Sequence, residues 1–171
     1  MAHYANVTQL RSTLVRSMHE WWTGHRGDDV PHRSALDPFA LKAILPYLLI
    51  SDVERAPFRI RYRLVGTKVV EATGLDFTGQ YLDELIPGGP DEPWMGDYRQ
   101  SFDTSLPVLG TSTVQLISGA SYFYEFGIFP MRNGGSEIVQ FVGIEDYFDF
   151  SLVDLGAEPW LVRDPQATRN A

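Results

Sequence analysis

Glu125 and Glu145 are the two acids that stand among apolar residues, on segments that read as the last two strands of the chain. A carboxyl held away from water keeps its proton to higher pH and can serve as an acid. On an outer sheet face the same residues would instead pair with arginine. Arg59, Arg61 and Arg63 alternate with Phe58, Ile60, Tyr62 and Leu64, so three cations share one strand face. Such a row can bind an anion or keep a strand edge charged against edge-to-edge pairing. Nucleophile and metal chemistry has less to draw on. The chain has no cysteine, which removes disulfides, thiolate metal sites, a cysteine nucleophile and cysteinyl-flavin photochemistry. All four histidines (His3, His19, His25 and His32) precede the expected sheet, so the rest of the chain offers no histidine ligand for haem or zinc. His19-Glu20 does not open an H-E-x-x-H motif, because position 23 is Thr23. No serine sits in a G-x-S-x-G elbow, and the glycines form no phosphate-cradling loop. This inventory predicts binding, with no enzymatic activity.

The elements that must position these residues follow from periodicity. Val7, Leu10, Leu14, Met18 and Trp21 form one apolar stripe, predicting a helix over 6–22, with Asn6 and Gln9 as a capping box and Gly24 and Gly27 as its stop. The stripe suits packing on its own sheet or on a second subunit. After a polar connector, Asp37-Pro38 predicts a helix start and Pro46 its end. Strands are expected over 47–54 and 58–65, joined at Arg55-Ala56-Pro57. Pairing Val53 with Phe58 would set Asp52 opposite Arg59 and partly neutralise the arginine row. Gly66 then leads into a short helix over 67–73, stopped by Gly74, and Tyr81, Leu82 and Leu85 give the next short helix an apolar face. Pro87-Gly88-Gly89-Pro90 is a loop. A longer helix runs from about Asp91 to Ser105, with Trp94, Tyr98, Phe102 and Leu106 on one side.

Three strands are expected over 108–117, 122–131 and 138–148, separated by the hairpin signals Ser118-Gly119-Ala120 and Asn133-Gly134-Gly135. The middle one is apolar on both faces: Tyr122, Tyr124, Phe126 and Ile128 against Phe123 and Phe129. A strand buried twice needs cover on both sides, and the N-terminal helix is the element free to supply the outer layer. The tail after Phe150 carries one apolar cluster at Trp160-Leu161-Val162.

Composition bounds the remaining choices. At 171 residues, with 44% hydrophobic and 21% charged residues, the chain suits one globular domain. A formal charge of −8 argues against nucleic acid as a partner. No apolar run approaches the ~20 residues of a membrane helix, and 1–13 lacks a signal-peptide core. A soluble cytoplasmic protein is expected.

The order of elements resembles the PAS domain, and more narrowly a bacterial PAS family often found as a whole small protein. The resemblance rests on Pro31, Arg33, Asp37-Pro38 and Leu45-Pro46, on RYRLVGT (61–67), Gly74, Asp76-Phe77-Thr78-Gly79 and Tyr81-Leu82, and runs from about Leu14 to Phe148. It implies an α+β fold: a five-stranded antiparallel sheet, short helices on one face enclosing a pocket, and the N-terminal helical extension on the other. The divisions expected are 1–36 for helix and connector, 37–150 for the PAS domain and 151–171 for the tail. PAS domains sense small ligands or mediate docking in signal transduction. Nothing after Phe150 resembles an effector, so output would pass through other signalling proteins or a homodimer formed by the first helix. Candidate pocket walls are Tyr62, Leu64, Val69, Phe77, Tyr81, Tyr98, Phe102, Tyr124 and Phe126, an apolar lining suited to a flat or acyl small molecule. The cofactor stays unassigned. Haem and cysteinyl flavin are not expected, since their histidine and cysteine are missing, while a noncovalent flavin stays open. The competing reading is a ligand-free dimeric adaptor.

Overall fold

The computed structural model describes residues 1–86, 92–115 and 121–147. The expected loop at 87–90, the helix start at 91, the turn at 118–120 and the tail cluster at 160–162 lie outside them. Six antiparallel strands form one sheet: β1 (Ala2–His3), β2 (Leu48–Arg55), β3 (Phe58–Val65), β4 (Val108–Gln115), β5 (Ser121–Arg132) and β6 (Ile138–Asp146). Their spatial order is β1-β4-β5-β6-β2-β3. Five match the expected sheet. The sixth, β1, is too short for an alternation signal, yet it extends the edge by pairing Ala2 with Thr111 and His3 with Gly110.

On one face lie α2 (Thr67–Thr73), α3 (Leu82–Leu85) and α4 (Pro93–Thr104). Gly74 ends α2 in the left-handed region at φ 72°, where a side chain would be strained. Gly66 serves a different need. A Cβ there would meet the Pro46 carbonyl oxygen at 2.3 Å, so only glycine lets β3 pass into α2 this close to the preceding turn. The core on this side gathers Leu49, Ile60, Tyr62, Val69, Tyr98, Phe126 and Phe141 with their neighbours.

The other face is covered by α1 (Thr13–His25) from the same chain. The single helix expected over 6–22 is in fact two pieces. Asn6 and Gln9 do form the capping box, but on a 3-10 turn, Val7–Gln9, and α1 starts afresh with Ser12 as its cap. The break rotates the buried stripe to Val15, Met18 and Trp22, leaving Leu14 and Trp21 partly buried at its margin. These residues pack on Leu109, Phe129, Met131, Val142 and Ile144, and the Trp22 indole N–H donates to the Pro130 carbonyl at 2.9 Å. The strand β5 is thus covered on both faces from Tyr124 to Met131, while Phe123 is half exposed.

The helix expected after Asp37-Pro38 is also corrected. Asp37 accepts from the Phe39 amide at 2.9 Å, but the segment stays a series of turns ending in the 3-10 turn Leu45–Tyr47, which contains Pro46. Prolines at both ends leave too few residues for a stable α-helix. The β2–β3 hairpin closes more tightly than expected, with Arg55 opposite Phe58 and Asp52 opposite Arg61. The arginine row is still neutralised. Arg59 pairs with Asp83 and Glu84, Arg63 with Asp52, and the Arg61 Nε–H donates to the Gly79 carbonyl. The edge of β3 is further covered by backbone bonds from Tyr62 to Gln80 and from Gly79 to Tyr62. No helix among the described residues is long and apolar enough to cross a membrane.

Candidate ligand site

Between the sheet and α2–α4 lies a cavity of about 50 Å³. Tyr62 of β3, Tyr124 of β5 and Glu145 of β6 form its floor, with Tyr147 just beyond β6. Thr73, Phe77, Leu82, Leu85, Ile86 and Trp94 complete it from the helical side. A smaller space of about 10 Å³ adjoins it, sharing Tyr62, Trp94 and Glu145 and adding Tyr98 and Phe126. The main cavity has room for a few waters or a ligand of few heavy atoms, well under the roughly 300 Å³ of a drug-sized pocket.

Strand alternation sets the floor. Tyr124 and Phe126 share the inner face of β5, and Glu145 stands opposite Phe126 in the β5–β6 register. Rings enclose the carboxyl. Trp94 lies nearly parallel to Tyr124, centroids 6.0 Å apart, and Tyr124 stacks on Tyr147 at 4.7 Å. Tyr62 meets Phe77 edge to face at 4.6 Å. Such pairs add about 0.5–1.5 kcal/mol each beyond the area they bury.

The electrostatics centre on Glu145. One of its oxygens accepts from the Tyr147 hydroxyl. Burial pushes its carboxyl up to about 7, only partly offset by that hydrogen bond, and no cationic side chain among the described residues contributes. Burial also raises the hydroxyls of Tyr62, Tyr98, Tyr124 and Tyr147, and the negative charge of Glu145 acts in the same direction on each. They stay protonated near neutral pH, with the Tyr147 hydroxyl donating to Glu145. The site therefore offers one carboxyl that changes charge near neutrality, neutral hydroxyls and broad aromatic walls.

The nine wall residues read from sequence separate into groups. Tyr62, Phe77 and Tyr124 line the main cavity, and Tyr98 and Phe126 line the adjoining space. Val69 is fully buried in the core beside them. Leu64 lies outside, 42% exposed. A bulge pairs Ile50 with Leu64 but Ser51 with Tyr62, leaving Arg63 as the extra residue, so Val65 turns inward in place of Leu64. Tyr81 also lies outside, its hydroxyl donating to Glu54 at 2.6 Å and Arg59 stacked on its ring. Phe102 packs edge to face against Phe58 and lines neither space. Trp94, Glu145 and Tyr147 also line the main cavity and are not among those nine residues. Trp94 belonged to the predicted helix stripe and Glu145 stood out as an acid among apolar neighbours, while Tyr147 gave no signal.

Glu125 faces the other way. Fully buried beneath α1, it accepts from the Tyr4 hydroxyl at 2.7 Å, from the Arg11 amide and from the Ser12 amide at 2.7 Å. Ser12 also donates through its hydroxyl to Asp146, the residue opposite Glu125 in the register. The partners are backbone and hydroxyl donors, in place of the arginine that strand position alone suggests.

A family model described as PAS domain matches residues 10–145, and the chain belongs to that family. No curated protein matches it. Among solved structures it is similar to an RNA-binding light-oxygen-voltage receptor, at 18% identity over 69% of this chain and 36% of that one, with a TM-score of 0.48. It is also similar to a light-oxygen-voltage domain studied with a flavin analogue, at 16% identity over 63% and 81%, TM-score 0.49. The light-state light-oxygen-voltage domain of the blue-light photoreceptor Aureochrome1 matches at 17% identity over 66% and 88%, TM-score 0.46. The chain spans about a third of the RNA-binding receptor chain.

Proposed function

We propose that this PAS protein is a sensory module of signal transduction that binds a small molecule in the cavity between the sheet and α2–α4, acting as a binding protein and not as a catalyst. The observation that carries the reading is the part-buried carboxyl of Glu145, without a cationic partner among the described residues, set in a space walled by Trp94, Tyr124 and Tyr147. Withdrawing a carboxyl from water without a cation or several donors is unfavourable, and carboxyls with raised values concentrate at functional sites. Tyr62, Phe77 and Tyr124 are the contacts proposed from the sequence-derived set, joined by Trp94 and Glu145.

Output passes to another signalling protein through the outer face. Tyr124 and Glu145 on the inner side are sequence neighbours of Glu125 and Asp146, which hold the start of α1 on the outer side. A shift of β5 against β6 on ligand binding would reach both. The first helix spends its apolar stripe on its own sheet, so a homodimer through α1 would have to use the polar side of the helix. An absorption scan of the purified chain, with solvent extraction and mass identification of what leaves it, tests the reading. A stoichiometric small molecule is expected. A bare homodimer with nothing extractable would instead favour a ligand-free adaptor.

A further inference from the structure

We propose that the cavity takes a small organic cation, a methylated ammonium group of few carbons, with its charge against Glu145 and its methyl groups against Trp94, Tyr124 and Tyr147. The inference rests on the ligand-binding reading above and narrows its chemistry. Three observations point the same way. Glu145 lines both the main cavity and the adjoining space, and among the described residues its hydrogen-bond partner is the Tyr147 hydroxyl. Among the described residues, no arginine, lysine or histidine lines either space. Glu145 is part-buried, so a cation in the cavity would supply the counter-charge the wall lacks, and burial has already moved this carboxyl toward protonation.

The walls supply the second half of the recognition. Aromatic rings attract a cation through the negative potential of their faces, most strongly where water is excluded. Here three rings stand within one small space beside the carboxyl, Trp94 nearly parallel to Tyr124 and Tyr124 stacked on Tyr147. The modest size suits an ammonium group carrying methyls and excludes a polycyclic ligand from the space as it stands. An anionic ligand would meet Glu145 without a compensating cation.

The test compares choline with 3,3-dimethyl-1-butanol, its neutral isostere, by isothermal titration calorimetry on the full chain at about pH 8, where the carboxyl is ionised. Choline should bind at least about tenfold more tightly than the alcohol. Glu145→Gln, which keeps shape and removes charge, should abolish that preference. Equal binding of the two probes to the wild type would overturn the cation inference and leave the ligand-binding reading standing. A preference that survives in Glu145→Gln would overturn the role of the carboxyl. Binding of neither probe would overturn the inference as well. Whether the broader reading falls with it is then decided by the extraction, since any other copurified small molecule preserves it.

Discussion

At the scale of single residues, Glu145 couples the site to the stability of the fold. Its ordinary carboxyl value of 4.5 rises to about 7 in the folded chain, because burial disfavours the charged form. Between those values the folded chain holds more protons than the unfolded one, so the stability this group contributes is present in acid and lost as pH rises through 7. The loss is on the order of 3 kcal/mol at its full extent. Asp97, also raised by burial and opposed by His3, contributes in the same sense, His19, lowered by burial, in the opposite one below about 6.5, and both effects are common to wild type and variant. The difference between wild type and Glu145→Gln therefore isolates the cavity carboxyl from its surroundings of Tyr62, Tyr98, Tyr124 and Tyr147. Urea unfolding across about pH 5–8 should show a falling wild-type curve and a flatter one for Glu145→Gln. At about pH 8 the variant should be the more stable by roughly 1–3 kcal/mol.

At the scale of elements, the two long strands β5 and β6 join the inner site to the outer helix. Glu125 satisfies the Tyr4 hydroxyl and the amides of Arg11 and Ser12 at the entry to α1, where a negative charge also suits the helix dipole. Glu125→Ala strands these donors in a buried place and should cost roughly 3 kcal/mol in chemical denaturation, with faster hydrogen exchange at Arg11 and Ser12. Unchanged exchange at those two amides would show that packing alone holds α1. The same strands explain what the sequence could reveal. The extents of β3 and α2 were legible because alternation ends at glycines with definite tasks, Gly66 and Gly74. The face of each glutamate was not, because β5 is apolar on both sides and gives no inside-outside contrast. One bulged residue, Arg63, carries Leu64 out of the inner face and leaves no mark on a period of two. The stripe of α1 shifted because an interruption at 10–12 breaks the helical phase.

At the scale of the whole molecule, the fold has two cores on one sheet, one sealed by α1 and the other surrounding the cavity. Family membership was readable from the run at 61–82, where turn glycines and apolar positions are fixed by local geometry. The cavity contents were only partly readable, since Trp94, Glu145 and Tyr147 come together from α4, β6 and the chain beyond it. Sensing requires that the cavity be occupied by a molecule that a filled cavity would refuse. Leu85, partly buried on the cavity wall, can be enlarged with less disturbance to the core than the fully buried positions. Native mass spectrometry of the full chain, wild type beside Leu85→Trp, tests this most directly. The expected result is a wild-type mass that exceeds the chain by one small molecule and a folded Leu85→Trp protein without it. A wild-type mass equal to the bare chain, or an adduct retained unchanged by Leu85→Trp, would contradict it.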